Sequence, residues 1–355
     1  MLSVLLIGVA LWAFGTVFGA SLRLRVAMLV ALWALVVLIH LTLPDGAALR
    51  AVTGGDMRAW LVLAAAALVI WGYRSGLRHL RAKAQDRTQD RTPEAASAAP
   101  PPTFSDTELN RYARHMMLRE VGGAGQKRLK GSRVLVIGAG GLGSPALLYL
   151  AAAGVGSIGV IDDDTVDGSN LQRQVIHTDD RIGLPKVFSA QQQMQALNPF
   201  ITVQPYHRRL TEDDAQTLFA DYDLILDGTD NFDTRYLVNR VAVSLSKPLI
   251  SGAITQWEGQ IALYDPARGG PCFECVFPER PAAGLVPTCA EAGVIAPLPG
   301  VLGTMMALEA IKLLTGAGTS LRASLLIYDG LYAETRKIGT KPRADCPVCG
   351  GLHVR

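Results

Sequence analysis

The run RVLVIGAG, Arg133 to Gly140, joins an apolar strand to a glycine turn, and few folds place a buried strand directly against so many glycines. Gly138, Gly140, Gly141 and Gly143 complete a GxGxxG pattern that opens a helix-like run from Leu142 to Ala153. A second apolar strand, SIGVID, then ends at Asp162, nineteen residues after Gly143. Glycines let a backbone approach phosphate, a helix N-terminus offers unpaired N–H groups, and an acid at the end of the second strand suits ribose hydroxyls. The bland alternative is a glycine turn needed only for packing. Strand and helix patterns continue to alternate: helices around Lys186 to Leu197, Asp213 to Asp221 and Phe232 to Ser246, strands near Thr202 to Tyr206 and Asp223 to Gly228. Continuous apolar strands between helices imply an α/β, Rossmann-like, mostly parallel sheet covered on both faces. The last third, with IALYD, a helix from Thr304 to Leu314, SLLIYD and ETRKIG, reads as an antiparallel extension.

Polar groups gather where those strands end. Asp162, Asp164, Ser169, Asn170, Gln172 and Arg173 follow the second strand, Lys186 starts the next helical run, and Asp230 and Asn231 follow DLILDG. A triphosphate carries charge that Arg and Lys can neutralise, whereas a dinucleotide pyrophosphate is held mainly by backbone amides. A lone carboxylate such as Asp230 can share Mg²⁺ with phosphate oxygens. Each residue taken alone is a solvated loop group. Their shared position at strand C-terminal ends, where open α/β sheets bind ligands, favours a site.

Cys272, Cys275, Cys346 and Cys349 form two CxxC pairs. Two such knuckles suit a tetrahedral Zn²⁺ site, and four thiolates leave no open position, so the metal would be structural. The fifth cysteine, Cys289, is either an inert packed thiol or a nucleophile for acyl or persulfide transfer.

The chain ahead of this domain is different in kind. Overall it is 49% hydrophobic and only 18% charged, against about a quarter charged in soluble domains. The excess lies at the front. Residues 1 to 22 carry no charge, Val26 to Pro44 carry only His40 as an ionisable group, and Ala59 to Tyr73 is a shorter apolar run. Three membrane helices are expected at about 2–22, 26–44 and 59–73, the third alternatively a re-entrant or amphipathic helix. No basic residue precedes the first run, which disfavours a cleaved signal peptide. Arg23 and Arg25 lie between the first two runs, and Arg74, Arg78, Arg81, Lys83, Arg87 and Arg91 follow the third. The positive-inside rule then places the N-terminus outside and everything after Arg74 in the cytoplasm. His40 reads as an interfacial residue. Residues 1–83 form the anchor, and 84–103, AQDRTQDRTPEAASAAPPPT, a polar linker ending in a polyproline spacer. Residues 104–355 form the enzyme-like domain. A net charge of +3 gives no reason to expect nucleic acid as a partner.

RYARH (Arg111 to His115), GAGGLGS, DDDTVDGSNLQRQ, GLPK, DGTDN, CFEC, TCAEAGV and CPVCGG occur in one order. From Ser105 to Gly351 the chain thereby resembles the ThiF/MoeB/HesA adenylyltransferases, relatives of ubiquitin-activating enzymes, and most closely their molybdopterin-synthase (MoeB) branch. The resemblance implies ATP-dependent adenylation of the C-terminal Gly-Gly carboxylate of a small ubiquitin-like sulfur carrier, with release of pyrophosphate. It implies nucleotide contacts from the glycine loop and from Ser169, Asn170, Leu171, Gln172, Arg173 and Lys186, with Asp162 on ribose. Asp230, beside Asn231, would hold Mg²⁺, and Arg114 would reach the site across a homodimer. The paired cysteines match the family's Zn²⁺ site, and Cys289 matches a cysteine that accepts the acyl group in some branches. Sulfur would come from an external donor, and the whole would be a multi-pass protein of the inner (cytoplasmic) membrane. Other readings are activation of a thiamine- or cysteine-pathway carrier, a tRNA-modifying dehydratase, an NAD-dependent oxidoreductase, or an inactive membrane-bound scaffold.

Overall fold

The structure is a computed structural model that describes residues 2–44, 46–54, 56–65, 68–69, 72–73, 75–76, 103–280 and 292–352. It divides into two compact units, Met1–Pro100 and Pro101–Arg355.

In the first unit, α1 (Leu2–Val17) and α2 (Leu22–Thr42) are joined by a short turn through Gly19, whose φ of 69° is in the left-handed region that glycine enters freely. Val4 near the start of α1 shares a buried cluster with Val36 late in α2 and with Trp60, so the two helices run antiparallel. α3 (Ala48–Thr53) and a helical run at 57–65 follow. Leu6, Val9, Phe14 and Val17 of α1 and Val30, Leu38 and Leu41 of α2 face outward and are exposed, which soluble folds avoid in such density. Two helices among the described residues have the length and composition to cross a membrane: Leu24–Thr42, and a helix of the second unit that is half buried in its own core. α1 is shorter than the 2–22 span expected from sequence. Its 16 residues rise ~24 Å, less than a hydrocarbon core of ~30 Å, because the chain turns at Gly19. The third expected span is described only in part. His40 is buried within the unit, with Nε2 3.1 Å from Thr53 Oγ1.

The second unit begins with α4 (Asp106–Met116), started by a capping box in which Ser105 Oγ accepts from Glu108 N–H and the Glu108 carboxylate accepts from Ser105 N–H. α5 (Gly122–Gly131) leads to β1 (Arg133–Ile137), α6 (Gly143–Ala153), β2 (Ser157–Ile161), α7 (Lys186–Leu197) and β3 (Thr202–Tyr206). α8 (Glu212–Ala220), β4 (Leu224–Asp227), α9 (Phe232–Ser244), β5 (Leu249–Ile254) and β6 (Glu258–Tyr264) come next. The unit closes with α10 (Phe273–Val276), α11 (Pro297–Thr315), β7 (Ser324–Asp329) and β8 (Glu334–Gly339). One sheet results, in the order β3-β2-β1-β4-β5-β6-β7-β8. The strands from β3 to β5 pair in parallel, and β5 through β8 form an antiparallel meander.

The continuous apolar strands have a direct cause. Val134 and Val136 of β1 pack into one core with α6, α7 and α11, while Leu135 and Ile137 pack into a second with α8 and α9. Alternate side chains thus go to opposite faces, and both faces are covered. α11 starts seven residues before the run expected from Thr304. Pro297 and Pro299 occupy its first turn, where no intrahelical N–H is needed. β5 is absent from the sequence reading because Ser251 and Gly252 interrupt its apolar run.

Gly143 fixes how α6 meets β1. A Cβ there would lie 1.9 Å from the Gly138 carbonyl oxygen, a backbone atom that cannot swing away. Gly143→Ala is therefore expected to cost about 1–3 kcal/mol through forced displacement of the loop. That should lower the calorimetric melting temperature by several degrees, and an unchanged transition would contradict the close approach.

Candidate active site

β1, β2 and β4 end side by side, and the loops beyond them line a cavity of about 1030 Å³. Gly138 (φ 91°), Gly140 and Gly141 form one wall, and α6 starts beneath them with no side-chain cap on its first N–H groups. Ser144 N–H is taken by the Gly140 carbonyl and Pro145 has no N–H, so what this end offers an anion is the positive end of the helix dipole and the glycine backbone before it. Asp162 closes the next side. Its Oδ2 accepts from Ala139 N–H at 2.7 Å and its Oδ1 from Asp164 N–H at 2.9 Å. Burial pushes this carboxyl above its ordinary range, against the pull of Lys186 and these amides. Each oxygen keeps a second lone pair, so the carboxylate can still accept from a ribose hydroxyl.

Two cations converge on the same space. Lys186 is the first residue of α7, almost fully buried, and its Nζ donates to Asp164 Oδ2 at 2.6 Å. A cation at a helix N-terminus opposes the dipole, so this placement is costly unless an anion answers it. Arg173 lies on the segment after β2, and its guanidinium donates to Asn170 Oδ1 at 2.5 Å. Asp230 follows β4 as an exposed carboxylate that makes no ion pair or side-chain hydrogen bond among the described residues. The loop bearing it is held by buried Asp227, which accepts from Thr229 N–H and Oγ1–H and from Ser251 Oγ–H.

The structure sorts the sequence-predicted residues. Gly138, Gly140, Gly141, Asp162, Asp164, Arg173, Lys186, Asp230 and Asn231 all line the cavity. Asn231 also caps α9, its side chain accepting from Thr234 N–H at 2.9 Å. Ser169, Asn170, Leu171 and Gln172 do not line it. They belong to the short turn in front of Arg173, where Asn170 orients the guanidinium and Ser169 Oγ donates to Asp167. Gly143 packs under the loop rather than facing the cavity. Arg114 is exposed on α4, outside the lining, beside exposed Met117 and Leu118. Cys289 lies outside the described residues.

Gln174 and Thr229, within the DDDTVDGSNLQRQ and DGTDN motifs, also line the cavity, and sequence reasoning misses Arg235. Arg235 is buried, donates to the carbonyls of Thr229 and Gly252, and makes no ion pair among the described residues. Its signal was its place on the inward stripe of α9 with Val238, Asn239 and Ala242. A buried unpaired cation lining a cavity points to an anionic ligand. Beyond it the cavity continues past Tyr236, Phe273, Phe277 and Arg280, longer than a nucleotide alone requires.

The four paired cysteines also meet. Sγ–Sγ distances are 3.8 Å for Cys272–Cys275, 3.6 Å for Cys272–Cys346 and 3.3 Å for Cys275–Cys349. A tetrahedron with Zn–S bonds of about 2.3 Å has edges of roughly 3.8 Å, so the donor set and its spacing fit such an ion. All four thiols are buried. Burial pushes Cys349 up to about 12, whereas, against burial, the N–H groups of Cys349 and Val348 draw Cys346 down. The cluster is thus not uniformly held as neutral thiols, and a cation is what would let all four ionise together.

Comparison with known proteins agrees with this geometry. The sequence pattern of the ThiF family matches residues 112–348. Over 251 residues the chain is 51% identical to a sulfur carrier protein adenylyltransferase of Thermus thermophilus, covering 70% of this chain and 93% of that one. It is 48% identical over 244 residues to a SAMP-activating enzyme E1 of Haloferax volcanii, covering 69% and 90%. Among solved structures, E. coli MccB with ATP shares the fold at a TM-score of 0.59 and 23% identity, covering 71% of this chain and 77% of that one.

Proposed function

The chain belongs to the ThiF family, and from that premise we propose that its second unit adenylates the C-terminal carboxylate of a small ubiquitin-like sulfur-carrier protein ending in Gly-Gly, consuming ATP and releasing pyrophosphate. One observation carries the reading. A helix N-terminus, Arg173, Lys186 and Asp230 border a single cavity that runs on past Arg235 to Tyr236 and Phe277, with room for a nucleotide and an extended peptide tail. The relatives are named as adenylyltransferases, which favours this reaction over hydride transfer.

The chemistry needs little from the protein beyond placement and charge. The carrier carboxylate is ionised near neutral pH, so no general base is required. Its oxygen attacks the α-phosphate, the bond to the β-phosphate oxygen breaks, and pyrophosphate leaves. Negative charge grows on the α-phosphate and the leaving group, where Arg173, Lys186 and the α6 N-terminus would stabilise it. Arg235 would hold the carboxylate end of the tail. Asp230, free and exposed in the cavity, would hold Mg²⁺, which supplies further neutralisation of the phosphates. Zn²⁺ would sit in the cysteine cluster as a structural ion. Pyrophosphate exchange into ATP that requires a carrier with its terminal Gly-Gly intact tests this reading. Exchange without any carrier, or none with a carrier present, would contradict it.

Arg114 would act from a second copy of the chain, since it lies outside its own cavity. Arg114→Ala and Asp230→Ala proteins, each inactive alone, are then expected to recover activity when mixed. Random exchange makes half the dimers mixed, each with one intact site, so the yield is roughly a quarter of wild type. No recovery after exchange is verified by differently tagged chains would place Arg114 elsewhere.

The first unit would anchor this enzyme in the inner membrane, with residues 84–103 as linker and 104–355 in the cytoplasm. Exposed apolar faces on α1 and α2 and the basic residues after Tyr73 support that placement. Sulfur would reach the activated carrier from a separate donor.

A further inference from the structure

The three groups proposed to grip the phosphates sit on three different stretches of chain: the glycine loop, the segment bearing Arg173, and α7, which begins at Lys186. One buried side chain touches all three. His177 belongs to the Arg173 segment, its own N–H donating to the carbonyl of Gln174 at 3.1 Å. Its Nε2 lies 2.9 Å from the Ala139 carbonyl oxygen in the middle of the glycine loop. Its Nδ1 lies 2.9 Å from Ser189 Oγ, less than one helical turn past Lys186. A carbonyl can only accept, so Nε2 carries the hydrogen, and a neutral ring then accepts the Ser189 hydroxyl hydrogen at Nδ1. Burial pushes this imidazole down to about 4, so the neutral ring persists near pH 7.

The Ala139 peptide is held from both sides. Its N–H goes to Asp162, and its carbonyl goes to His177, with Ser144 Oγ a longer 3.4 Å away. We infer that His177 is a positioning residue for nucleotide binding: through Ala139 and Ser189 it sets the spacing between the glycine loop, Arg173 and Lys186. It does not line the cavity and would not touch the nucleotide. The inference rests on the adenylation reading only in taking ATP as the ligand.

The side-chain geometry gives a graded test. A Gln amide reaches the position of Nε2 and can donate to Ala139, whereas an Asn amide ends near Nδ1 and cannot. Calorimetric ATP binding by the purified protein without any carrier should therefore weaken about tenfold or more in His177→Ala and His177→Asn, and about threefold or less in His177→Gln. In carrier-dependent exchange the loss should fall on the KM for ATP rather than on kcat, because the grip is formed before the chemistry. Ser189→Ala should weaken ATP about threefold and lower the melting temperature by only a few degrees, so that it stays folded and keeps the test open if a His177 variant fails to fold. ATP binding unchanged in His177→Ala, or in Ser189→Ala where the histidine variants fail to fold, would overturn the inference. Equal weakening in Asn and Gln variants would also overturn it, since the Ala139 contact would then not be the cause. Failure of the wild type to bind ATP would instead count against the adenylation reading.

Discussion

Lys186→Ala is expected to lower carrier-dependent ATP–pyrophosphate exchange by about 10³-fold, or roughly 4 kcal/mol of transition-state stabilisation. The expectation comes from where the ammonium sits. Its side chain is 6% exposed, at the start of a helix whose dipole repels it, and Asp164 is its partner at 2.6 Å. Asp164 is itself 66% exposed, so the pair adds little to folding stability, by the usual discount for a solvated carboxylate. The ammonium is thus held at the cavity edge by an anion that water can readily satisfy once a triphosphate takes its place. Removal takes away one of the two converging cations and leaves Asp162, Asp163 and Asp164 on the cavity wall with Arg173 to offset them there. Stability should barely change while activity collapses. A loss below tenfold, or a loss explained by unfolding, would remove Lys186 from the reaction.

Cys346→Ser is expected to produce the largest loss of stability, a fall in melting temperature of about 10 °C or more. Four buried thiols within van der Waals distance gain little from packing, and they gain much from a shared divalent cation. Losing one ligand from such a site costs several kcal/mol, and each kcal/mol shifts a unit of this size by about 2–4 °C. The effect should reach the cavity. Cys272 precedes α10 and Cys275 lies within it, and Phe273 of the same helix packs edge-on against Tyr236 and Tyr264 and lines the far part of the cavity with Phe277. Asn239 of α9 reinforces the join, its Oδ1 accepting from Phe273 N–H at 2.9 Å. Elemental analysis should find one zinc per wild-type chain and almost none in the variant. A metal-free wild type with the same melting behaviour as Cys346→Ser would contradict the account.

The parallel half of the second unit is legible in sequence because both of its faces are buried. β1, β2 and β4 are unbroken apolar runs, and α7 spans Lys186–Leu197 as its pattern indicates. The glycine loop and its acid are legible too, since their chemistry fixes the spacing. Three kinds of information are not local and escape such a reading. β5 is identified by its neighbours β4 and β6, not by its own composition. Asn231 and Asp227 have polar character that suggests ligands, yet the structure spends it largely on a helix cap and a loop brace. Arg235 looks like an ordinary helix surface residue until the stripe it shares with Val238 and Ala242 is seen to face the sheet. In the first unit, hydropathy marks the apolar stretches, but the turn at Gly19 and the burial of His40 against Thr53 depend on how the helices meet.

Adenylation is a covalent change, and the mass of the carrier reads it directly. Purified protein, ATP and Mg²⁺ incubated with a ubiquitin-like sulfur carrier should yield a carrier bearing one adenylyl group on its terminal glycine, with stoichiometric pyrophosphate. Deleting that glycine should abolish both products. A carrier of unchanged mass and no pyrophosphate, under conditions where the protein demonstrably binds ATP and carrier, would contradict the account.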